Sequence, residues 1–133
     1  MLKSIKTSES NRTVVAELTN KLNMGSENII ARVALVYSIA QGRRLDISQM
    51  ADSKGKEYSS KVLFGEYEGF YTAIVCQHYG INSVNIDIPK YIKMHIDDGL
   101  ELIADEIREN INLTIFDFVL DQIDNGLLAL NSD

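Results

Sequence analysis

The sequence contains very little of several residue types that usually mark a structural or chemical class. Its 133 residues include one cysteine, one proline, two histidines and no tryptophan. A single cysteine cannot build a disulfide framework or a cysteine-based zinc site, so a reducing, cytoplasmic compartment is expected. One proline in a chain that is 45% hydrophobic favours a folded, helix-rich domain over a disordered segment.

Long apolar runs are also missing. The longest is about five residues, whereas a membrane-spanning helix needs about 20. Lys3 and Lys6 are followed by polar residues, and not by the apolar stretch of a signal peptide. We therefore expect neither a membrane span nor a secretory leader.

An overall excess of positive charge is absent, because the net charge is −6. This balance argues against a strongly basic nucleic-acid binder. The charges are nevertheless unevenly distributed: residues 1–65 hold ten Lys and Arg against six Asp and Glu, and residues 66–133 hold three against thirteen. Two interpretations stay open, a basic face built by the first half or the ordinary charge of a helical surface.

The hydrophobic spacing predicts a mainly α, compact domain of four to five helices with short strands. The chain opens with a predicted strand over residues 2–6, a helix that ends near Asn23, a turn at Gly25 and a second helix to about residue 40. This strand–helix–helix order is similar to that of a ribbon-helix-helix module, whose paired strands can enter a DNA groove.

The remaining segments are predicted from the same patterns. Residues 43–61 are expected to be mostly loop, and residues 84–88 alternate as a short strand. Further helices are predicted over 66–79, from Pro89 to about 107 with an apolar face, and in the tail from 113. The apolar face of the helix after Pro89 contains Ile92, Ile96, Leu100, Ile103 and Ile107.

The stretch KVLFGEYEGFY at 61–71 contains two carboxylates that could suggest acid–base catalysis. On a helix, Glu66 and Glu68 point to different sides, so they cannot converge on one substrate. We expect the aromatic residues of this stretch to pack against the core. Arg32 is expected either to face solvent or to be buried against an acid, because an unpaired buried arginine would be too costly, and Glu66 is the predicted partner.

Other catalytic or metal-binding patterns are not found in the sequence. Cys76 falls late in a predicted helix among small and apolar residues, which favours a structural role. His78 and His95 lack partners at metal-ligand spacing, and no glycine-rich phosphate-binding loop occurs. The sequence therefore predicts a protein that is not an enzyme and that uses no metal or cofactor.

Three ordered motifs resemble the DNA sulfur modification protein DndE family: NIIARVALVYSIA at 28–40, LFGEYEGFYTAI at 63–74 and HIDDGLELI at 95–103. The resemblance covers about residues 2–108. It divides the chain into a DndE-like domain over 1–110 and a C-terminal amphipathic helical extension over 111–133. The extension is expected to serve oligomerisation or partner docking.

The resemblance implies a non-catalytic accessory subunit of the bacterial machinery that replaces a non-bridging phosphate oxygen of DNA with sulfur. The implied partners are DNA, with nicked duplex as one form, and the ATPase, sulfotransfer protein and cysteine desulfurase of that system. A homo-oligomer, a tetramer in the family, is also implied. Motif matches that we interpret as structural are Asn28, Arg32, Gly65, Glu66, Tyr71, His95, Ile96 and Gly99.

The candidate DNA-binding residues come from charge, and not from the motifs. They are Lys3, Lys6, Arg12, Lys21, Arg43, Arg44, Lys54, Lys56 and Lys61. Two alternative functions stay open: a scaffold subunit of the same complex with little DNA affinity, and a ribbon-helix-helix repressor that reads bases with Lys3, Ser4 and Lys6.

Overall fold

The structure, a computed structural model, describes residues 2–23, 25–109 and 115–130. The described residues form six α-helices and one two-stranded sheet, which confirms the predicted mainly α class. The elements are β1 (Ser4–Lys6), α1 (Ser10–Leu22), α2 (Glu27–Ala40), β2 (Glu57–Ser59), α3 (Ser60–Leu63), α4 (Glu68–Tyr79), α5 (Ile88–Glu109) and α6 (Ile115–Leu130), with 3₁₀ turns at Ile47–Gln49 and Gly65–Tyr67.

The sheet joins the start of the chain to a strand that the sequence pattern did not reveal. β1 pairs antiparallel with β2, and Ile5 lies opposite Tyr58. These two side chains are buried while their neighbours Lys6 and Glu57 are exposed, as expected for strands with one solvated face. The segment 43–61, predicted to be mostly loop, is irregular up to Lys56 apart from its 3₁₀ turn, and it then forms β2 and α3.

Helix α5 is the centre of the fold, and it packs against α2, α1, α4 and β1. The predicted apolar face is confirmed, because Ile92, Ile96, Leu100, Ile103 and Ile107 are each at most 3% exposed. Gly99 allows the closest approach to α2. A Cβ atom added there would lie 1.9 Å from the carbonyl oxygen of Ala34, so a larger residue cannot fit between the two backbones.

A buried carboxylate on α5 holds the segment that leads into α1. Asp97 accepts hydrogen bonds from the Ser8 backbone N–H (3.1 and 3.2 Å) and from Asn11 Nδ2 (2.8 Å). It also forms an ion pair with Lys93 Nζ at 2.5 Å, one helical turn earlier. Because both charges are nearly fully buried, their pairing and hydrogen bonding is what makes their burial tolerable.

The aromatic stretch before and within α4 packs less completely than the sequence predicted. Tyr71 stacks on the buried Phe64 with ring centroids 4.7 Å apart. Tyr67 and Phe70, however, are 57% and 64% exposed, so the prediction that these aromatics pack against the core is wrong for them. The chain before α4 forms a 3₁₀ turn, and Gly65 has a positive φ of 57° there, which shifts the helical register of this stretch.

The predicted strand over 84–88 is also wrong. Asn82 Oδ1 accepts a hydrogen bond from the Val84 N–H, and Asn85 Oδ1 accepts one from the Asp87 N–H. Such local side-chain hydrogen bonds stabilise consecutive turns and compete with an extended conformation. The apolar side chain of Val84 is 81% exposed as a result.

Helix α6 lies on α2 through one aromatic contact. Phe118 is 3% exposed, and its ring centroid is 5.3 Å from that of Tyr37. The predicted start of this helix at residue 113 and the junction between the two predicted domains lie outside the described residues. None of the described helices is both long and apolar enough to cross a membrane.

Candidate nucleic-acid interface

An open groove of about 650 Å³ lies where β1, α1 and the loop before β2 meet. Four of the nine predicted DNA-binding residues line it, together with two carboxylates from α2 and β2. The cations are Lys6, Arg12, Lys54 and Lys56, and the carboxylates are Glu27 and Glu57. The groove therefore combines four positive with two negative side chains in a chain that is acidic overall.

The loop that carries Lys54 and Lys56 is fixed against the start of α1. Arg12 Nη2 donates hydrogen bonds to the carbonyl oxygens of Lys54 (3.3 Å) and Gly55 (2.9 Å). Gly55 N–H donates to the carbonyl oxygen of Thr7 at 2.9 Å, and a Cβ atom on Gly55 would lie 2.2 Å from the Ser8 carbonyl oxygen. This close approach requires glycine, and it gives the groove a rigid floor.

Asp52 fixes the other side of the same loop. Its Oδ1 atom accepts hydrogen bonds from the backbone N–H groups of Glu9 and Lys54, both at 3.0 Å. These two bonds lower the pKa of the Asp52 carboxyl, with a smaller contribution from nearby lysines. The carboxylate is thus held in its charged form as an anchor between the loop and the start of α1.

The four cations of the groove differ in how free their charges are. Lys56 Nζ forms an ion pair with Glu27 at 2.6 Å and lies 5.3 Å from the centre of the Tyr58 ring. Lys6 and Lys54 are exposed and have no ion pair with any described residue. These two lysines are therefore the groups most available to an external anion. Arg12 also lines the groove, but its guanidinium is held by backbone carbonyl oxygens of the loop.

The other five predicted DNA-binding residues lie away from the groove. Arg43 forms an ion pair with Asp98 at 2.8 Å, and the Arg44 guanidinium lies 5.6 Å from the centre of the Tyr79 ring. Lys21 is exposed in the last turn of α1. Lys3 and Lys61 are exposed at the opposite end of the two-stranded sheet, where the Ser60 N–H donates to the Lys3 carbonyl oxygen.

The motif residues of α2 and the α4 region do not converge on one site. Asn28 Nδ2 donates to the carbonyl oxygen of Val62 at 3.1 Å, which links α2 to α3. Arg32 lines a separate apolar groove between α2 and α6, whereas Glu66 is exposed. The ion pairs of the described residues do not join these two, so the predicted Arg32–Glu66 tether is wrong.

His95 belongs to a hydrogen-bond chain that the sequence pattern did not reveal. Ser38 Oγ donates to Asp98 Oδ2 at 2.6 Å, so it accepts from His95 Nδ1–H at 2.7 Å. On the other side of the ring, the Tyr79 hydroxyl donates to His95 Nε2 at 2.5 Å and accepts from the Leu45 N–H at 3.0 Å. When His95 is neutral, each hydrogen bond in this chain has one donor and one acceptor.

Burial keeps His95 in that neutral form. The residue is fully buried, and desolvation, followed by the influence of His78, lowers its pKa to about 4. Asp98 acts in the opposite direction and only partly offsets this shift. The chain of hydrogen bonds connects α2, α4 and α5 to the loop after α2, so it fixes how these elements pack.

Within the described ranges, no cluster of three or more His, Cys, Asp and Glu side chains could hold a metal ion. Cys76 is half-buried on α4, and its carbonyl oxygen accepts the hydrogen bond that ends the helix. The arrangement with the most evident binding chemistry is therefore the cationic groove.

The comparisons with known proteins identify a family and similar folds. A family model described as "DNA sulphur modification protein DndE" matches residues 4–110. The fold is similar to a crystal structure of DndE from Escherichia coli B7A "involved in DNA phosphorothioation modification", with a TM-score of 0.62 and 18% identity over 77% of this chain and 99% of that chain. It is also similar to a glycine-to-lysine DndE mutant, with a TM-score of 0.64 and 19% identity over the same shares. No curated protein matches the chain.

Proposed function

Because this chain belongs to the DndE family, we propose that it is a non-catalytic, DNA-backbone-binding accessory subunit of the cytoplasmic DNA phosphorothioation machinery. The observation that carries the proposal is the cationic groove, in which Lys6 and Lys54 are exposed beside the anchored Arg12. Its partners are DNA and the ATPase, sulfotransfer protein and cysteine desulfurase of that system. The domain over 1–110 performs this role, and the extension over 111–133 is an addition to it.

The groove suits phosphate groups better than base edges. Lysine and arginine side chains on an open surface neutralise phosphates, and such contacts carry no sequence information. β1 pairs with β2 of the same chain. One edge of β1 is therefore already occupied, which makes a ribbon-helix-helix repressor, the alternative that reads bases with Lys3, Ser4 and Lys6, the weaker hypothesis.

The charge balance of the groove sets the expected strength of binding. Four cations and two carboxylates give each protomer a local excess of two positive charges. The logarithm of the binding constant falls with the logarithm of the salt concentration, with a slope of about −0.9 for each phosphate that the protein neutralises. One protomer with this charge excess should therefore give a shallow slope of about −2. Several grooves in a homo-oligomer, a tetramer in our proposal, would bind one DNA molecule together and raise the affinity without new contacts.

The proposal is tested by measuring DNA affinity against salt concentration, with nicked and intact duplexes of the same sequence. Fluorescence anisotropy of labelled DNA, combined with the oligomer mass from light scattering, gives the slope per protomer. Lys6→Ala combined with Lys54→Ala should weaken binding to both duplexes at low salt and make the slope shallower by about 2. Arg108→Ala is the control, because this exposed cation on the acidic half does not line the groove and pairs with Asp105.

Two results would contradict DNA-backbone binding. One is an unchanged slope in the Lys6 and Lys54 double variant, and the other is the absence of binding to either duplex at low salt. In the second case, association with the ATPase component would favour the scaffold role. That alternative is supported by the acidic second half of the chain and by the exposed apolar surface of α6.

A further inference from the structure

Helix α6 exposes an apolar seam on a side turned away from its Phe118 contact with α2. Leu120, Ile123, Leu127 and Leu130 follow one another at intervals of three, four and three residues, and their exposed fractions are 41%, 52%, 52% and 76%. This spacing is that of the core positions of a coiled coil, which face a partner helix. Phe118, which docks on Tyr37, points about 160° away from Leu120 at 100° per residue.

The seam continues into a groove between α6 and α2. This groove has a volume of about 540 Å³ and is lined on the α2 side by Val33, Val36 and Tyr37. Ile123 belongs to both the seam and the groove, and Val36 is 40% exposed. The continuous apolar surface is long enough for a helix of several turns to lie along it, and burial of such side chains would stabilise the complex.

The charges beside the seam are all negative. Asp124 and Asp121 lie about 40° and 100° from Leu120, on the side away from Ile123. No lysine or arginine occurs between residues 109 and 133. A helix that packs on the seam would therefore place one of its own flanks against these two carboxylates.

We propose that the α6 seam and the adjoining α2 groove form the docking site for an amphipathic helix of another protein, with an apolar heptad seam and lysines or arginines on one flank. A second copy of this chain fits less well. In an antiparallel pair of α6 helices the two acidic flanks would face each other, and in a parallel pair Asp124 would face Val119 or Gly126. An anionic lipid surface would be repelled by the same carboxylates.

The test uses two labelled helical peptides of about three heptads. Both carry the same leucine seam, and one has lysine flanks where the other has glutamate flanks. The full chain should bind the lysine peptide at least about tenfold more tightly, as measured by fluorescence anisotropy. Asp121→Lys combined with Asp124→Lys should reverse this preference, and Leu120→Asp combined with Leu127→Asp should abolish binding of both peptides.

Control variants separate a local effect from net charge and from unfolding. Glu17→Lys combined with Glu66→Lys changes the net charge equally at exposed sites outside the seam, so it should keep the preference for the lysine peptide. Because the four seam residues are exposed, circular dichroism should show unchanged folding of the seam variants. DNA binding should also be unchanged in them, which keeps this test independent of the proposed DNA-binding role.

Three outcomes would overturn the proposal. The first is that neither peptide binds or that both bind equally. The second is a dimer that Leu120→Asp dissociates, which would make a second copy the occupant. The third is binding to phosphatidylserine vesicles that the seam variants lose, which would make the seam a membrane-surface contact.

Discussion

The α2–α5 interface and helix α6 are both built from amphipathic helices, but they use their apolar faces in opposite ways. Along α5, the predicted apolar face is completely covered, and Gly99 brings its backbone against that of Ala34. Along α6, Phe118 is buried while Leu127 and Leu128 are 52% and 68% exposed. The apolar face of α5 is buried by other helices of the same chain, whereas most of the apolar face of α6 is exposed.

The two regions also differ in their polar groups. The α2–α5 interface buries Ser38 and His95 in a hydrogen-bond chain that ends on Asp98. Such a chain is satisfied in one arrangement of the helices, so it specifies how they pack. The carboxylates Asp121 and Asp124 of α6 are exposed, and they impose no comparable constraint on α6. We therefore expect substitutions in the interface to affect the whole fold and substitutions in α6 to act locally.

The largest effect is expected from Gly99→Ala. The added methyl group would lie 1.9 Å from the Ala34 carbonyl oxygen and 2.4 Å from its carbon, and both are backbone atoms that cannot rotate away. The helices must separate, so the free energy of unfolding should fall by more than about 4 kcal/mol. Urea unfolding followed by circular dichroism measures this change.

Gly126→Ala in α6 is the matched control for that experiment. A Cβ atom there would meet no other atom within 4 Å, and the site lies inside a helix. Alanine should be neutral or stabilise α6 by up to about 1 kcal/mol. Similar midpoints for Gly99→Ala and the unsubstituted chain would show that the close approach of α2 and α5 does not determine stability.

An intermediate effect is expected from acidification, through His95. Its pKa in the fold is about 4, below its ordinary value of 6.5, so the unfolded chain binds more protons between these two pH values. The free energy of unfolding should therefore be unaffected by this residue well above pH 6.5 and should fall by on the order of 3 kcal/mol as the pH drops towards 4. Urea titrations across this range measure the slope.

Variants at the two histidines identify the source of that slope. His95→Gln should be less stable at neutral pH, because it cannot reproduce both ring hydrogen bonds, and it should lose this contribution to the pH dependence. His78→Gln should retain most of it, because burial is the larger cause of the lowered His95 pKa and His78 is only the second. An equal slope in all three proteins would assign the acid sensitivity to other groups.

The helices of the α2–α5 interface could be predicted from the sequence because their signal is local. Burial on one side of a long helix imposes apolar residues at helical spacing, and the predicted apolar face of α5 is confirmed at each named residue. The sheet was different. β2 has three residues and is stabilised by pairing with β1 some 53 positions away, so nothing within β2 itself indicates a strand.

The sequence predictions are wrong where local side-chain hydrogen bonds or the packing of distant segments override a hydrophobic or charge pattern. The alternation at 84–88 suggests a strand, but Asn82 and Asn85 stabilise turns through their own side chains. Charge alone grouped nine cations, and the structure brings four of them into one groove because Gly55 lets the loop lie against Ser8. Neither the carboxylates of that groove nor the place of Arg32 in the groove between α2 and α6 can be predicted from residue spacing.

The smallest effect on overall stability is expected from Phe118→Ala, which removes the buried anchor of α6. Since the other described apolar residues of α6 are largely exposed, losing this ring should release the helix while changing the unfolding of residues 4–110 by less than about 1 kcal/mol. Hydrogen exchange should become faster in α6 and stay unchanged in α5, and Leu120→Ala, at an exposed seam position, should alter neither. A loss of about 3 to 5 kcal/mol, typical of a phenylalanine removed from a protein core, would instead make α6 part of one cooperative unit with the interface, and the contrast between the two regions would fail.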